Sequence, residues 1–226
     1  MTLLVLFDVD GTLLLSHDEV YVEANRDALE EVYGIAPETA DVPGDTALAH
    51  TRRALRSAGL DEAAIGTRLA AWCEAFTRRY VELLAIADTS HWQIAAGAAD
   101  TIGALERPAL LTGNPEAVAR VRLQRIGLDR LFPPGQGAFG CERERRVALF
   151  ALARERAGGW PAERTVAVGD TPRDVESAHA AGARCVAVAS GAYTREQLAG
   201  ADAVVDKLVE LPSALARLAA ETRPAD

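Results

Sequence analysis

The chain has 226 residues, 49% hydrophobic and 25% charged, which is ordinary for a soluble globular protein and suits one large domain or a core with a small second domain. Its net charge of −9 argues against non-specific nucleic-acid binding, which needs clustered Lys and Arg, but leaves room for a local site that takes an anionic substrate. Lys207 is the only lysine, and Cys73, Cys141 and Cys185 are scattered with no CxxC pair, which predicts reduced thiols in a cytoplasmic enzyme rather than a metal-thiolate site or a disulfide framework.

In chain order, Leu3 to Phe7 is a continuous apolar run, as expected of a strand buried on both faces. It has no basic leader and is too short for a signal peptide or a membrane span, so no membrane partner is expected. From about Ser16 to Ala87 the pattern is helical, with helices predicted over Asp18 to Tyr33, Asp45 to Ala58 and Asp61 to Leu84, separated by Gly34, Gly44 and Gly59. Trp72, Phe76 and Tyr80 recur every four residues and read as the core of this helical insertion rather than a cofactor box.

Beyond the insertion, strands and helices alternate. Strands are predicted at Pro108 to Thr112, Thr165 to Val168 and Arg184 to Val188, with a short edge strand at Ala203 to Val205. Helices are predicted from Pro115 to Ile126, Arg146 to Ala157 and Pro172 to Ala181, each followed by glycine. This alternation predicts a parallel α/β sheet, which binds ligands beyond the carboxyl ends of its strands.

Polar clusters lie at or between those ends: Asp8-Val9-Asp10-Gly11-Thr12-Leu13, Thr112-Gly113-Asn114, the stretch from Gly140 to Arg146, and Gly169-Asp170-Thr171-Pro172-Arg173-Asp174. If the strands are neighbours, three carboxylates, a hydroxyl and an arginine share a small volume. Carboxylates so close stay ionised together only around a cation, and oxygen ligands with room for water and phosphate suit Mg²⁺. Phosphoryl transfer needs an in-line nucleophile, charge neutralisation and a proton donor, and the clusters offer all three.

DxDGTL after the first strand, Thr112 at the end of the second, a basic residue later and GDxxxD near the end resemble the haloacid dehalogenase superfamily over Leu3 to about Leu208, with a phosphoglycolate phosphatase-like arrangement. The resemblance implies a Rossmann-like, three-layer α/β/α core of residues 1–15 and 88–226, and an all-helical cap of residues 16–87 inserted after the first strand. It implies a phosphatase of a small phosphorylated metabolite, with Asp8 as nucleophile and Asp10 as acid and base. Mg²⁺ would be held by Asp8, the Asp10 carbonyl and Asp170. Gly11, Thr112, Gly113 and Asn114 would grip the phosphoryl oxygens, and Asp174 would hold the metal through water or orient the basic residue. The family's usual third-motif lysine is missing; Arg146 is the chosen replacement, with Arg143 and Arg145 as rivals. On the cap, Gly44, Thr46 and His50 are the specificity candidates, with Asp45, Arg52 and Arg53 beside them.

Asp10 argues against a dehalogenase, because a leaving halide needs no proton, and the lysine-free cap argues against a Schiff-base phosphonate hydrolase. A phosphosugar mutase and a non-catalytic module that keeps the fold are the alternatives. Monomer and homodimer are both left open.

Overall fold

The computed structural model describes residues 2–38 and 42–221. Strand β1 (Leu4–Phe7) lies in the middle of a six-stranded parallel sheet with β2 (Pro108–Thr112), β3 (Ala138–Phe139), β4 (Thr165–Gly169), β5 (Arg184–Val188) and β6 (Ala203–Val205), in the order β3-β2-β1-β4-β5-β6.

The apolar runs are continuous because both faces of the sheet are covered. Side chains alternate along a strand. Val5 and Phe7 of β1, Leu110 of β2, Val166 and Val168 of β4, and Val186 and Val188 of β5 enter one core. There they meet helices α5 (Ala98–Gly103), α6 (Glu116–Arg125) and α9 (Leu211–Glu221). Leu4 and Leu6, Ala109 and Leu111, Ala167, and Cys185 and Ala187 enter the other, against α7 (Arg146–Arg156) and α8 (Pro172–Ala180). The result is a three-layer, Rossmann-like α/β/α core.

The all-helical cap inserted after β1 comprises α1 (Glu19–Tyr33), α2 (Ala47–Ser57), α3 (Glu62–Gly66) and α4 (Leu69–Ile86). Asp18, Thr46 and Asp61 cap the first three of these, each accepting from a backbone N–H three residues on. The single helix predicted over Asp61 to Leu84 is split into α3 and α4. Gly66 weakens the helix there, and Thr67 Oγ1 turns back to donate to Ala63 O at 2.9 Å. The insertion has its own core, in which Trp72 stacks on Phe76 and Tyr21 meets Phe76 edge-on, as the aromatic stripe predicts.

The thiols correct the sequence reading. Cys73 of α4 and Cys141, in the loop after β3, form a disulfide with a Cα–Cα distance of 6.2 Å, and only Cys185 is free. Their separation of 68 in sequence conceals that the fold brings α4 beside that loop. Cysteine usage therefore gives no support for a reducing compartment. Among the described residues, no helix is long and apolar enough to cross a membrane.

Candidate active site

Asp8 follows β1 directly, flanked by the ends of β2 and β4, and its N–H donates to Val168 O at 2.9 Å. Asp170 follows β4, the adjacent strand. Asp174 is one turn into α8, where a reciprocal capping box with Thr171 fixes it: Asp174 Oδ2 accepts from Thr171 N at 3.0 Å and from its Oγ1 at 2.7 Å. Ligand oxygens of Asp8, Asp170 and Asp174 all lie within 4.8 Å of one another. A set of three buried carboxylates offering only oxygen fits a hard divalent cation.

The electrostatics carry the same signature. Burial, reinforced by Asp174 and Asp10, pushes the Asp8 carboxyl up to about 7 even though Arg146 opposes the shift. Burial and the charges of Asp8 and Asp174 push Asp170 up to about 8, although Thr12 Oγ1 donates to it at 3.2 Å. Without a cation these groups resist ionisation.

Asp170 needs Gly11 beside it. Gly11 has φ +70°, and a Cβ there would overlap the Asp170 carboxylate. Nearby, Ser190 Oγ donates to Gly11 O at 2.9 Å and ties the loop after β5 to this turn.

Of the three candidate arginines, Arg146 reaches the carboxylates. Its Nη2 lies 2.5 Å from Asp174 and 3.3 Å from Asp8, and its Nε is buried with no hydrogen-bond partner. Arg143 is exposed and donates to Glu142 O at 2.7 Å, and Arg145 is exposed at the start of α7. Asp174 thus lies both against Arg146 and among the carboxylate oxygens, so the geometry is compatible with either role expected of it.

Thr112 is fully buried, and its Oγ1 accepts from Asn114 Nδ2 at 3.0 Å. Asn114 Nδ2 also donates to Asp10 Oδ2 at 2.7 Å. The Asp10 carboxylate turns away from the acidic trio to Arg122, whose Nη2 and Nη1 lie 2.5 and 3.2 Å from its two oxygens. Burial works against the charge on Asp10, but Arg122 and Asn114 prevail and hold its carboxyl below the usual range. Arg122 lies outside every motif in the sequence. It sits on the buried stripe of α6 with Val118, Ala119 and Leu123, and an arginine on such a stripe signals a buried counter-charge.

The start of α2 rests on these same loops. Gly44 O accepts from Arg146 Nη1 at 3.2 Å, and Asp45 pairs with Arg173 at 2.7 Å. Thr46 Oγ1 donates to Glu144 O at 2.6 Å, and Ala47 N donates to Gly113 O at 2.8 Å. Gly113 is essential to this approach, since a Cβ there would overlap Asp45 O. His50 lies farther along α2, its Nδ1 3.2 Å from Arg53.

A stability profile follows. Asp8 and Asp170 have folded values raised to about 7 and about 8 from 3.8, so their contribution is fully present below about pH 4 and lost as pH rises through 7 and 8. Thermal melting in a chelator is expected to show this loss between about pH 5 and about pH 8, reduced in Asp170→Asn. A decline equally steep in that variant rules the carboxylates out as its cause.

Residues 2–182 match the haloacid dehalogenase-like hydrolase family. A phosphoglycolate phosphatase of Synechococcus elongatus is 31% identical, the match covering 93% of this chain and 94% of that protein. The crystal structure of CbbY from Rhodobacter sphaeroides in complex with phosphate superposes with a TM-score of 0.67 at 27% identity, covering 93% of this chain and 96% of that one. A mutant CbbY in complex with xylulose-(1,5)bisphosphate superposes with a TM-score of 0.63 at 25% identity and the same coverage.

Proposed function

Because the chain belongs to the haloacid dehalogenase-like hydrolases and is a phosphoric monoester hydrolase, we propose that it is a Mg²⁺-dependent phosphatase of small phosphorylated metabolites, working through an aspartyl-phosphate on Asp8. The observation that carries this reading is the setting of Asp8: among Asp170 and Asp174, 3.3 Å from the buried Arg146, with Asp10 two residues on.

In this reading an Asp8 oxygen attacks phosphorus and the bond to the ester oxygen breaks, while Asp10, protonated for this step against the preference that Arg122 and Asn114 give its ionised form, gives that proton to the oxygen, which leaves as an alcohol. Arg146, with Thr112, Asn114 and the amides around Gly11 and Gly113, holds the phosphoryl oxygens and offsets their charge. Water then attacks phosphorus, Asp10 takes its proton, and the bond to Asp8 breaks to release inorganic phosphate and the free carboxylate. Mg²⁺, held by Asp8, the Asp10 carbonyl and Asp170, would screen the nucleophile from the anion it attacks. Residues 1–15 and 88–226 are then the catalytic core. Residues 16–87 are a cap latched through Gly44, Asp45 and Thr46, with His50 the specificity candidate on α2. The relatives' named ligands, phosphoglycolate and a pentose bisphosphate, are compact polar esters, and esters of this kind are the proposed substrates.

The test is phosphate release from phosphoglycolate, a pentose bisphosphate and 4-nitrophenyl phosphate, with Mg²⁺ and with EDTA. Turnover is expected with Mg²⁺, lost in EDTA and regained on adding Mg²⁺ back. Measurable Mg²⁺ binding with no turnover of any ester would instead favour a non-catalytic module.

A further inference from the structure

Both oxygens of the Asp10 carboxylate accept hydrogen bonds. Oδ1 accepts from Arg122 Nη2 at 2.5 Å, and Oδ2 accepts from Arg122 Nη1 at 3.2 Å and from Asn114 at 2.7 Å. Arg122 is 1% exposed, so its guanidinium depends on its protein partners. Its Nε faces inward, 3.1 Å from Asp18 Oδ2, at ion-pair distance although not aligned for a hydrogen bond. Asp18 Oδ2 in turn accepts from Tyr80 Oη at 2.7 Å, and its Oδ1 caps α1 through Tyr21 N at 3.2 Å. A polar chain thus runs from the half-open Asp10, through the buried Arg122 on α6 and Asp18 at the head of α1, to Tyr80 on α4.

We propose that Arg122 is the positioning residue for Asp10, and that the chain through Asp18 and Tyr80 ties the placement of this carboxylate to the position of the helical insertion. Charge-assisted, two-pronged bonds are directional, so a shift of α1 and α4 relative to α6 moves the guanidinium and, with it, the carboxylate. The surroundings of the two ends differ as this coupling requires, since the Asp10 side chain keeps half its surface open toward solvent while Asp18 and Arg122 are enclosed. In the arrangement seen, both Asp10 oxygens are taken up by donors. Half of the Asp10 side chain stays open, so the carboxyl can face a leaving oxygen while Arg122 holds it, and motion of the insertion sets where it points. This inference rests on the proposed acid and base role of Asp10.

Leaving-group dependence tests it, because an aryl phosphate needs little protonation of its leaving oxygen and an alkyl phosphate needs much. Asp10→Asn, Tyr80→Phe, Arg122→Met and Arg122→Met/Asp18→Asn are compared with wild type on 4-nitrophenyl phosphate and on glycerol phosphate, with thermal melting as the fold control. The double variant is included because Arg122→Met alone strands a buried Asp18. Tyr80→Phe removes a single hydroxyl and keeps the ring packing.

The Arg122 variants and Tyr80→Phe are each expected to lose about tenfold more kcat on the alkyl ester than on the aryl ester, with KM little changed. Equal losses on the two esters in folded Arg122 variants mean a merely structural Arg122 and overturn the proposal. A selective loss in the Arg122 variants without one in Tyr80→Phe overturns the link to α4. If Asp10→Asn itself shows no selectivity, the acid and base role fails and the inference falls with it. Selectivity in Asp10→Asn alone sinks the inference and leaves the proposed function standing.

Discussion

An Asp8→Asn protein is expected to lose phosphate release by on the order of 10⁵-fold while melting at a higher temperature than wild type in metal-free buffer. The two effects share one cause. Asp8 is buried beside Asp170 and Asp174, and its carboxyl is pushed up to about 7, so at about pH 8 the fold holds a charge it disfavours. An amide removes that charge and keeps the shape. Arg146 keeps a partner, because Asp174 lies 2.5 Å away. The gain is about 1 to 3 kcal/mol, less than the full shift implies because neighbouring groups titrate together. That corresponds to a midpoint a few degrees higher, at roughly 2 to 4 °C per kcal/mol. Saturating Mg²⁺ is expected to reverse the order, since it favours the protein with more carboxylates to bind. Phosphate release and thermal melting in EDTA check both halves. Turnover equal to wild type rejects Asp8 as nucleophile, and a midpoint well below wild type rejects the electrostatic account.

The core of this site was legible in the sequence because strands buried on both faces leave an unambiguous trace. Leu4 to Phe7 and Thr165 to Gly169 are apolar runs that stop on Asp8 and Asp170, and their parallel pairing from Leu4↔Thr165 to Phe7↔Val168 brings those two residues together. Arg146 could be chosen over its neighbours because it opens α7 just ahead of the buried Leu149 and Phe150. What was not legible depends on contacts between distant segments. β3 is two residues long and defined by pairing with β2 alone, which leaves no periodicity to read. Arg122 was hidden by the habit of treating arginine as surface, although its place among Val118, Ala119 and Leu123 marked the buried face of α6. For Cys73 and Cys141, spacing carries no information, since their proximity is made by the docking of α4 beside the loop after β3.

Reduction of that disulfide is expected to lower the thermal midpoint by about 10 °C and to raise turnover several-fold. The stability effect follows from chain entropy. A crosslink closing a loop with a sequence separation of 68 removes freedom from the unfolded chain worth about 4 kcal/mol. The turnover effect follows from what the crosslink joins. Cys73 is on α4 of the insertion and Cys141 is on the core, one residue after Gly140, whose carbonyl faces the N–H of Leu48 in the first turn of α2 at 3.4 Å. In the proposed reading the insertion lifts to admit an ester to the buried Asp8, and the bonds of Gly44, Thr46 and Ala47 to Arg146, Glu144 and Gly113 open with it. Those bonds are reversible, whereas the disulfide holds the α4 side covalently and limits how far the insertion can lift. Cys73 and Cys141 are only partly buried and line a surface cleft with Glu74, Thr77, Pro115 and Glu116. Melting curves and phosphate release with and without dithiothreitol, repeated on Cys73→Ser, separate the two effects. The variant should match reduced wild type in both and ignore the reductant. If reduced and oxidised wild type turn over at the same rate but melt apart, the crosslink stabilises the fold without restraining the cap; if they also melt together, the predicted chain-entropy effect is absent.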